Sequence, residues 1–350
     1  MTIAAAGAMP LNASERKVGT LVVRDAAIDT MRGVAILMVV GIHSLRAPED
    51  SGWATAIDAA LRPCVPIFLF ASGYLLSRTG EVRLIRRFKA VLAPYLVAFI
   101  AAYAYMALHN ATMDHRPWVA IARFVFAYVF VYYYVFIYIG CTILLWLVFR
   151  ATLEGNPCRR QWLVPLLIMS VFLGLLSGAY VGPFLHQRGL PNSLIDEIRL
   201  RDLPFWFGFT ALGVLAGLFG KIEILQDLRR LLFVAGLLAF FVYALVRSFH
   251  IGDAAPYDSI AFFTYAALSC LALLAFSPES SLLAAIGSGS YFMYLWHIFF
   301  VLLLRDTSLQ NLGPVIDAVV TYFVTLAASI LLLFAIRWTQ SRRLRFWLGA

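Results

Sequence analysis

Charge is the first thing this sequence lacks. Asp, Glu, Lys and Arg make up only 13% of its 350 residues, about half their share in soluble globular chains, which excludes an ordinary water-soluble domain. Cysteine is scarce as well. Cys64, Cys141, Cys158 and Cys270 show neither a C-x-x-C pair nor metal-ligand spacing, so neither a disulfide framework nor a metal centre is expected. Cys141 and Cys270 fall inside apolar runs and read as packing residues. The first 24 residues hold no charged segment followed by an apolar stretch and a small-residue cleavage site, so the N-terminus is expected to be retained. Long loops are missing too, which leaves no room for an appended soluble domain. Acidic residues are outnumbered 19 to 28, a net charge of +9. The basic residues are scattered through short connections, so membrane topology accounts for them and nucleic acid is not an expected partner.

What the sequence has is apolar bulk. Hydrophobic residues are 62% of the chain and aromatics 15%, with a mean hydropathy of +0.83. Apolar runs fall at about 27–45, 60–77, 88–108, 124–149, 162–181, 204–219, 231–249, 258–276, 290–304 and 314–336. A helix needs roughly 20 apolar residues to cross a bilayer, so the chain is predicted to be an all-α, polytopic integral membrane protein of ten spans. Its predicted parts are a cytoplasmic segment at 1–24, a transmembrane domain at 25–337 and a basic cytoplasmic tail at 338–350. Alternate connections hold eighteen basic residues on the side of the two termini and nine on the other. That bias predicts both ends in the cytoplasm.

The first run, "DTMRGVAILMVVGIHS" (29–44), is chemically the richest. From Gly33 to Leu45 there are only 13 uncharged residues, too few to cross roughly 30 Å of hydrocarbon. The helix must therefore include Asp29 and Arg32, whose charges need water or partners. Arg32 and His43 are eleven residues apart. At about 100° and 1.5 Å per residue they share one face, about 16 Å apart along the axis. One reading is that Arg32 snorkels to headgroups while His43 caps the helix. The other is a polar face lining a cavity, with a cation to hold an anion and an imidazole that titrates near neutrality. Taken alone, this physics points to a channel, a transporter or a membrane enzyme.

Four stretches narrow the choice. "RGVAILMVVGIHS" carries an arginine, ten residues and a histidine. "PIFLFASGYLLSR" (66–78) carries an aromatic, Ser-Gly and an apolar tail. "RLIRRFKAVLAPYL" (83–96) is a basic loop followed by Pro-Tyr, and "GSYFMYLWHIFF" (289–300) carries Ser-Tyr, Tyr-Leu and a histidine. In this order and topology they resemble the family-3 membrane acyltransferases, which O-acylate bacterial surface glycans and related acceptors. The resemblance covers the whole chain. One departure is Lys89, which stands a place earlier than the third arginine of the family's basic loop. A second is that the hydrolase-like C-terminal domain of longer relatives has no counterpart.

The resemblance implies a bacterial inner-membrane enzyme using cytosolic acyl-CoA, preferentially acetyl-CoA, without a metal. The acceptor is a hydroxyl of a glycan or lipid-linked glycan beyond the membrane. Arg83, Arg86, Arg87 and Lys89 are expected to hold the donor's phosphates, since guanidinium forks suit phosphate. Arg32 would handle the donor deeper in, braced by Asp29. His43 is the expected general base. Asp29, Ser72, Tyr294 and His297 are expected around the substrates, with packing the competing role for Ser72 and an ordinary buried histidine that for His297. Tyrosines 128, 132, 133, 134 and 138 read as packing residues, and His109, His115, His186 and His250 as surface residues. The loop 182–203, beside Trp206, is a further place for acceptor contact. The rival functions are a transporter of a glycan precursor or small acid, and a non-catalytic subunit of a polysaccharide synthesis complex.

Overall fold

A computed structural model describes residues 25–45, 51–154, 157–219, 222–249, 251, 257, 259–306 and 313–350. The segment 1–24 and His250 lie outside the described residues. Helices α1 (Ala26–Ser44), α2 (Gly52–Leu61), α3 (Cys64–Thr79), α4 (Leu84–His109), α5 (Pro117–Val125) and α6 (Tyr133–Leu153) form the first half. They are followed by α7 (Leu163–Gln187), α8 (Asn192–Leu200), α9 (Leu203–Phe219), α10 (Ile222–Asp227) and α11 (Arg229–Ser248). The last elements are α12 (Ile260–Phe276), α13 (Ser281–Ser288), α14 (Ser290–Arg305), α15 (Pro314–Trp338) and α16 (Arg342–Leu348). No strand occurs among the described residues.

Each of the ten apolar runs falls on a helix. Among the described residues, eight helical stretches are long and apolar enough to cross a membrane. The pair α13 and α14, bent by 78° at its break, makes a ninth, and α12 is apolar but only 17 residues long. Large apolar side chains on α7, α11 and α15, among them Phe172, Leu238 and Leu331, point outward, as they must where lipid is the solvent.

Small residues set the two closest helix contacts. At the α3–α9 crossing, a Cβ on Gly73 would stand 2.1 Å from the Thr210 carbonyl oxygen, and one on Gly213 2.1 Å from that of Phe70. Only hydrogen in place of a side chain lets these backbones touch. At the α1–α13 crossing, a Cβ on Gly287 would lie 1.8 Å from the Asp29 carbonyl oxygen, and one on Gly33 2.2 Å from that of Leu283. Thr30 and Ser280 bond there too: the Ser280 N–H donates to Thr30 Oγ1 at 3.2 Å. The segment 277–289, a connection between two apolar runs that carries no Lys or Arg, is thus largely a packed helix. Ser280 caps it by accepting from the Leu283 N–H.

Two further differences from the sequence reading matter for the site. The run 124–149 is one apolar stretch, yet residues 126–132 break it, with Ala127 and Phe130 in the left-handed region at φ of 49° and 48°. Ala127, Val129 and Tyr132 in this break are buried. Irregular backbone is tolerated within a membrane bundle when other protein groups satisfy it, and here tyrosines do so. Tyr95 donates to the Phe124 carbonyl at 3.0 Å and Tyr294 to that of Val131 at 2.6 Å. Tyr132 donates in turn to the Leu295 carbonyl at 2.8 Å. The basic tail, in turn, folds back as α16, where the Trp296 indole donates to the Leu348 carbonyl at 3.2 Å.

Candidate active site

Five helices converge on a cavity of about 190 Å³. Arg32 comes from α1, Phe68 from α3, Ala90 and Val91 from α4, Tyr134 and Tyr138 from α6, and Ser290, Tyr291 and Tyr294 from α14. The α14 residues share a face because positions 290, 291 and 294 are one, three or four apart on a helix. The 78° bend before Ser290 aims that face inward. Arg337 of α15 fixes the bend, donating to the Ala285 carbonyl at 3.1 Å and to Ser288 Oγ at 3.0 Å. Larger hollows, of about 410 to 760 Å³, lie elsewhere; Arg32, His43, Tyr294 and His297 line none of these three, while Ser193, Glu197 and Arg201 of the stretch 182–203 line the one of about 760 Å³.

Polar groups in and around the cavity are held in place. Arg32 pairs with Asp29 at 3.5 Å, and its side chain is 31% exposed. The Arg87 guanidinium donates to the Tyr138 hydroxyl at 2.9 Å, which joins the basic end of α4 to the cavity wall. The Tyr294 hydroxyl is committed to the Val131 carbonyl and its ring packs on Tyr134 at 5.3 Å. Tyr294 is therefore wall and brace.

Two imidazoles lie next along α14 and α1. His297, one turn beyond Tyr294, is fully buried, with ring centroids 6.4 Å apart. His43, half-buried, faces His297 at 5.4 Å between centroids. The Nδ1 of His297 lies 3.0 Å from the Met293 carbonyl and 2.9 Å from that of Tyr294. Carbonyls only accept, so in the neutral ring Nδ1 carries the hydrogen and Nε2 is a bare acceptor. That Nε2 is buried and has no hydrogen-bond partner among the described residues. Arg305 donates to the His43 carbonyl at 3.0 Å.

Beyond His43 lies a charge cluster that sequence reading missed. Arg62 donates to both carboxylate oxygens of Asp58, at 2.9 and 2.8 Å, and Arg247 donates to one of them. The Arg62 guanidinium stacks on Tyr257, 4.6 Å from the ring centre. Leu61 packs where a Gly41 Cβ would meet it, 2.8 Å away, which brings the Arg62 turn beside the His43 end of α1. From sequence, Arg62 and Arg247 counted as ordinary loop charges. The usable signal was the i, i+4 spacing of Asp58 and Arg62 at the edge of an apolar run.

The sequence-predicted residues thus divide. Arg32 and Tyr294 line the cavity, Arg87 bonds to its wall, and His43 and His297 face each other with rings tilted by 36°. Arg86 and Lys89 are exposed, and Arg83 pairs with exposed Glu81 at 3.2 Å. Asp29 braces Arg32 without lining the cavity. Ser72 is half-buried beside the Gly73 crossing. Tyr134 and Tyr138, taken as packing residues, stand in the cavity wall at i, i+4 spacing. Cys64, Cys141 and Cys270 are buried, and His109, bonded to the Tyr105 carbonyl, is exposed. Among the described residues no three His, Cys, Asp or Glu side chains converge as metal ligands do.

Residues 25–335 match the model of a family described as an acyltransferase domain, the third of its kind. No curated protein matches the chain, and no solved structure does.

Proposed function

The chain belongs to the family-3 acyltransferases, and from that premise we propose that it moves an acyl group from cytosolic acyl-CoA to a hydroxyl of an extracytoplasmic glycan or glycolipid. Acetyl is the simplest donor group. The protein sits in a bacterial inner membrane as ten spans with both ends in the cytoplasm, an orientation supported by the excess of basic residues on that side. Residues 78–90 then meet the cytosol. Arg83, Arg86 and Lys89 attract the phosphates of coenzyme A at the surface, and Arg87 does so beside the cavity.

A cavity of about 190 Å³ equals roughly six water volumes at ~30 Å³ each. It suits a slim thioester arm, with the nucleotide left outside. Passing Tyr138 and Arg32, the arm brings its carbonyl beyond Tyr294 to the two imidazoles. The acceptor hydroxyl arrives from the opposite side and gives its proton to His43 as its oxygen attacks. The C–O bond forms, the C–S bond breaks and the thiol returns to the cytosol. A positioned base of this kind contributes typically 10²- to 10⁴-fold. No covalent acyl-enzyme is needed.

The observation that carries this reading is the succession Arg87, Arg32, Tyr294, His297 and His43 around and beyond one cavity. The test uses inverted membrane vesicles supplied with radiolabelled acetyl-CoA, following label into glycan or lipid-linked glycan. Label transfer is expected to depend on the protein and to vanish with His43→Ala at unchanged expression. Transfer that survives the substitution removes His43 as the base. Absence of transfer from any acyl donor, in a host making the native glycan, rejects the enzyme reading in favour of transport.

A further inference from the structure

His297 differs from an ordinary satisfied core histidine at one of its two ring nitrogens. Its Nδ1–H is held by two carbonyls of its own helix, at 3.0 and 2.9 Å. The tautomer is thereby fixed, leaving the lone pair on Nε2. That nitrogen is buried with no donor to meet it among the described residues, in a bundle where buried polar atoms are otherwise mostly paired. Its ring lies between two groups already described: Tyr294, in the cavity wall, at 6.4 Å and His43 at 5.4 Å. One water, or a rotation of the half-buried His43 ring, brings such a pair into hydrogen-bond contact.

We propose that His297 is the acid of the reaction: it receives a proton from His43 at Nε2 and delivers it to the departing sulfur. The proposal rests on the acyl-transfer reading above. In that reading the atom that must lose a proton, the acceptor oxygen, approaches His43. The atom that must gain one, the sulfur, lies on the Tyr294 side, nearer His297. Two imidazoles in series match this separation. The acceptor O–H breaks and its proton passes to His43; His43 passes one proton to His297 Nε2; His297 donates it to the thiolate. The bonds formed are C–O and S–H, those broken are O–H and C–S, and both rings end neutral. While His297 is charged, its Nδ1–H stays bonded to the Met293 and Tyr294 carbonyls, which steadies the cation. Rotation of His43 restores its starting tautomer.

The experiment compares acetyl-CoA with its selenoester analogue, one atom different, in the same vesicles. A selenolate is stable enough to leave without a proton, so it does not need the acid. His297→Gln is expected to slow transfer from the thioester by about 10²-fold and from the selenoester by less than about fivefold. His43→Ala is expected to slow both alike, because both need the base. Equal slowing of the two donors by His297→Gln makes the residue structural and overturns the proposal, as does no slowing. Should that variant fail to accumulate, His297→Asn is read in the same way. Wild-type protein carries its own check: an assisted thiolate gives similar rates for the two donors, and a selenoester advantage above about tenfold overturns the assignment. If wild type uses neither donor, the acyl-transfer reading itself falls, an outcome distinct from any of these.

Discussion

Asp58 is the carboxylate recorded for two buried cations, and removing it is the sharpest stability test this bundle offers. Arg62 grips it with two hydrogen bonds at 2.9 and 2.8 Å, and Arg247 adds a third. All three side chains are only 14% to 16% exposed, so water can do little to replace the carboxylate. Truncating one partner of a buried ion pair costs about 3–5 kcal/mol, mainly because the other charge is stranded. Asp58→Ala strands two, so its cost is expected in the upper part of that range. Arg247→Ala leaves Asp58 paired with Arg62 and loses one charged hydrogen bond, about 1.5–3 kcal/mol. The assay is equilibrium unfolding in mixed micelles of rising denaturing-detergent content, with each variant compared to wild type. The order Asp58→Ala worse than Arg247→Ala is the core of the prediction. A loss below about 1 kcal/mol for Asp58→Ala, or the reverse order, refutes the account of a desolvated cluster.

Two other expectations concern the cavity wall and its frame. Tyr138→Phe removes the hydroxyl that accepts from Arg87; with the pair partly open to water, KM for acyl-CoA is expected to rise about threefold to tenfold at unchanged kcat. An unchanged KM in a donor titration separates Arg87 from donor binding. Gly73→Val sets a Cβ 2.1 Å from the Thr210 carbonyl oxygen, so the variant is expected to lose its folded, monodisperse peak in detergent size-exclusion chromatography. Its neighbour Ser72→Ala, with no such contact to relieve, is expected to keep that peak, and the opposite pattern contradicts the crossing described above.

Much of the frame was legible because helix periodicity and bilayer length act locally. Each apolar run marks a helix, and the eleven-residue interval between Arg32 and His43 placed both on the face of α1 that meets α14. What stayed hidden is what separate helices build together. Tyr134 and Tyr138 looked like two among many tyrosines, and only the approach of α14 makes them a wall. The break at residues 126–132 was invisible for a different reason. Ala127 and Phe130 adopt left-handed backbone with neither glycine nor proline there to announce it, and tertiary hydrogen bonds from Tyr95 and Tyr294 sustain it. The helix α13 falls between the apolar runs, in a connection that carries no Lys or Arg. Its Ser280 cap ahead of an apolar stretch was the guide to it. Asp58 and Arg62 did not stand out in the sequence because charges at an apolar edge usually face water.

Two of the tyrosine hydrogen bonds at the break, from Tyr294 to the Val131 carbonyl and from Tyr132 to that of Leu295, also bear on how the protein sits in its bilayer. They peg the start of α6 to the second turn of α14 from within, as dowels fix a beam that does not reach the outer wall. The depth of the chamber is therefore a dimension of the protein itself. Changes in lipid thickness are usually absorbed by tilting of spans that have freedom to move, and here the outward apolar faces of α7 and α11 meet the lipid. The pegged wall keeps its spacing to the two imidazoles meanwhile, so the protein carries its own ruler across membranes of differing composition.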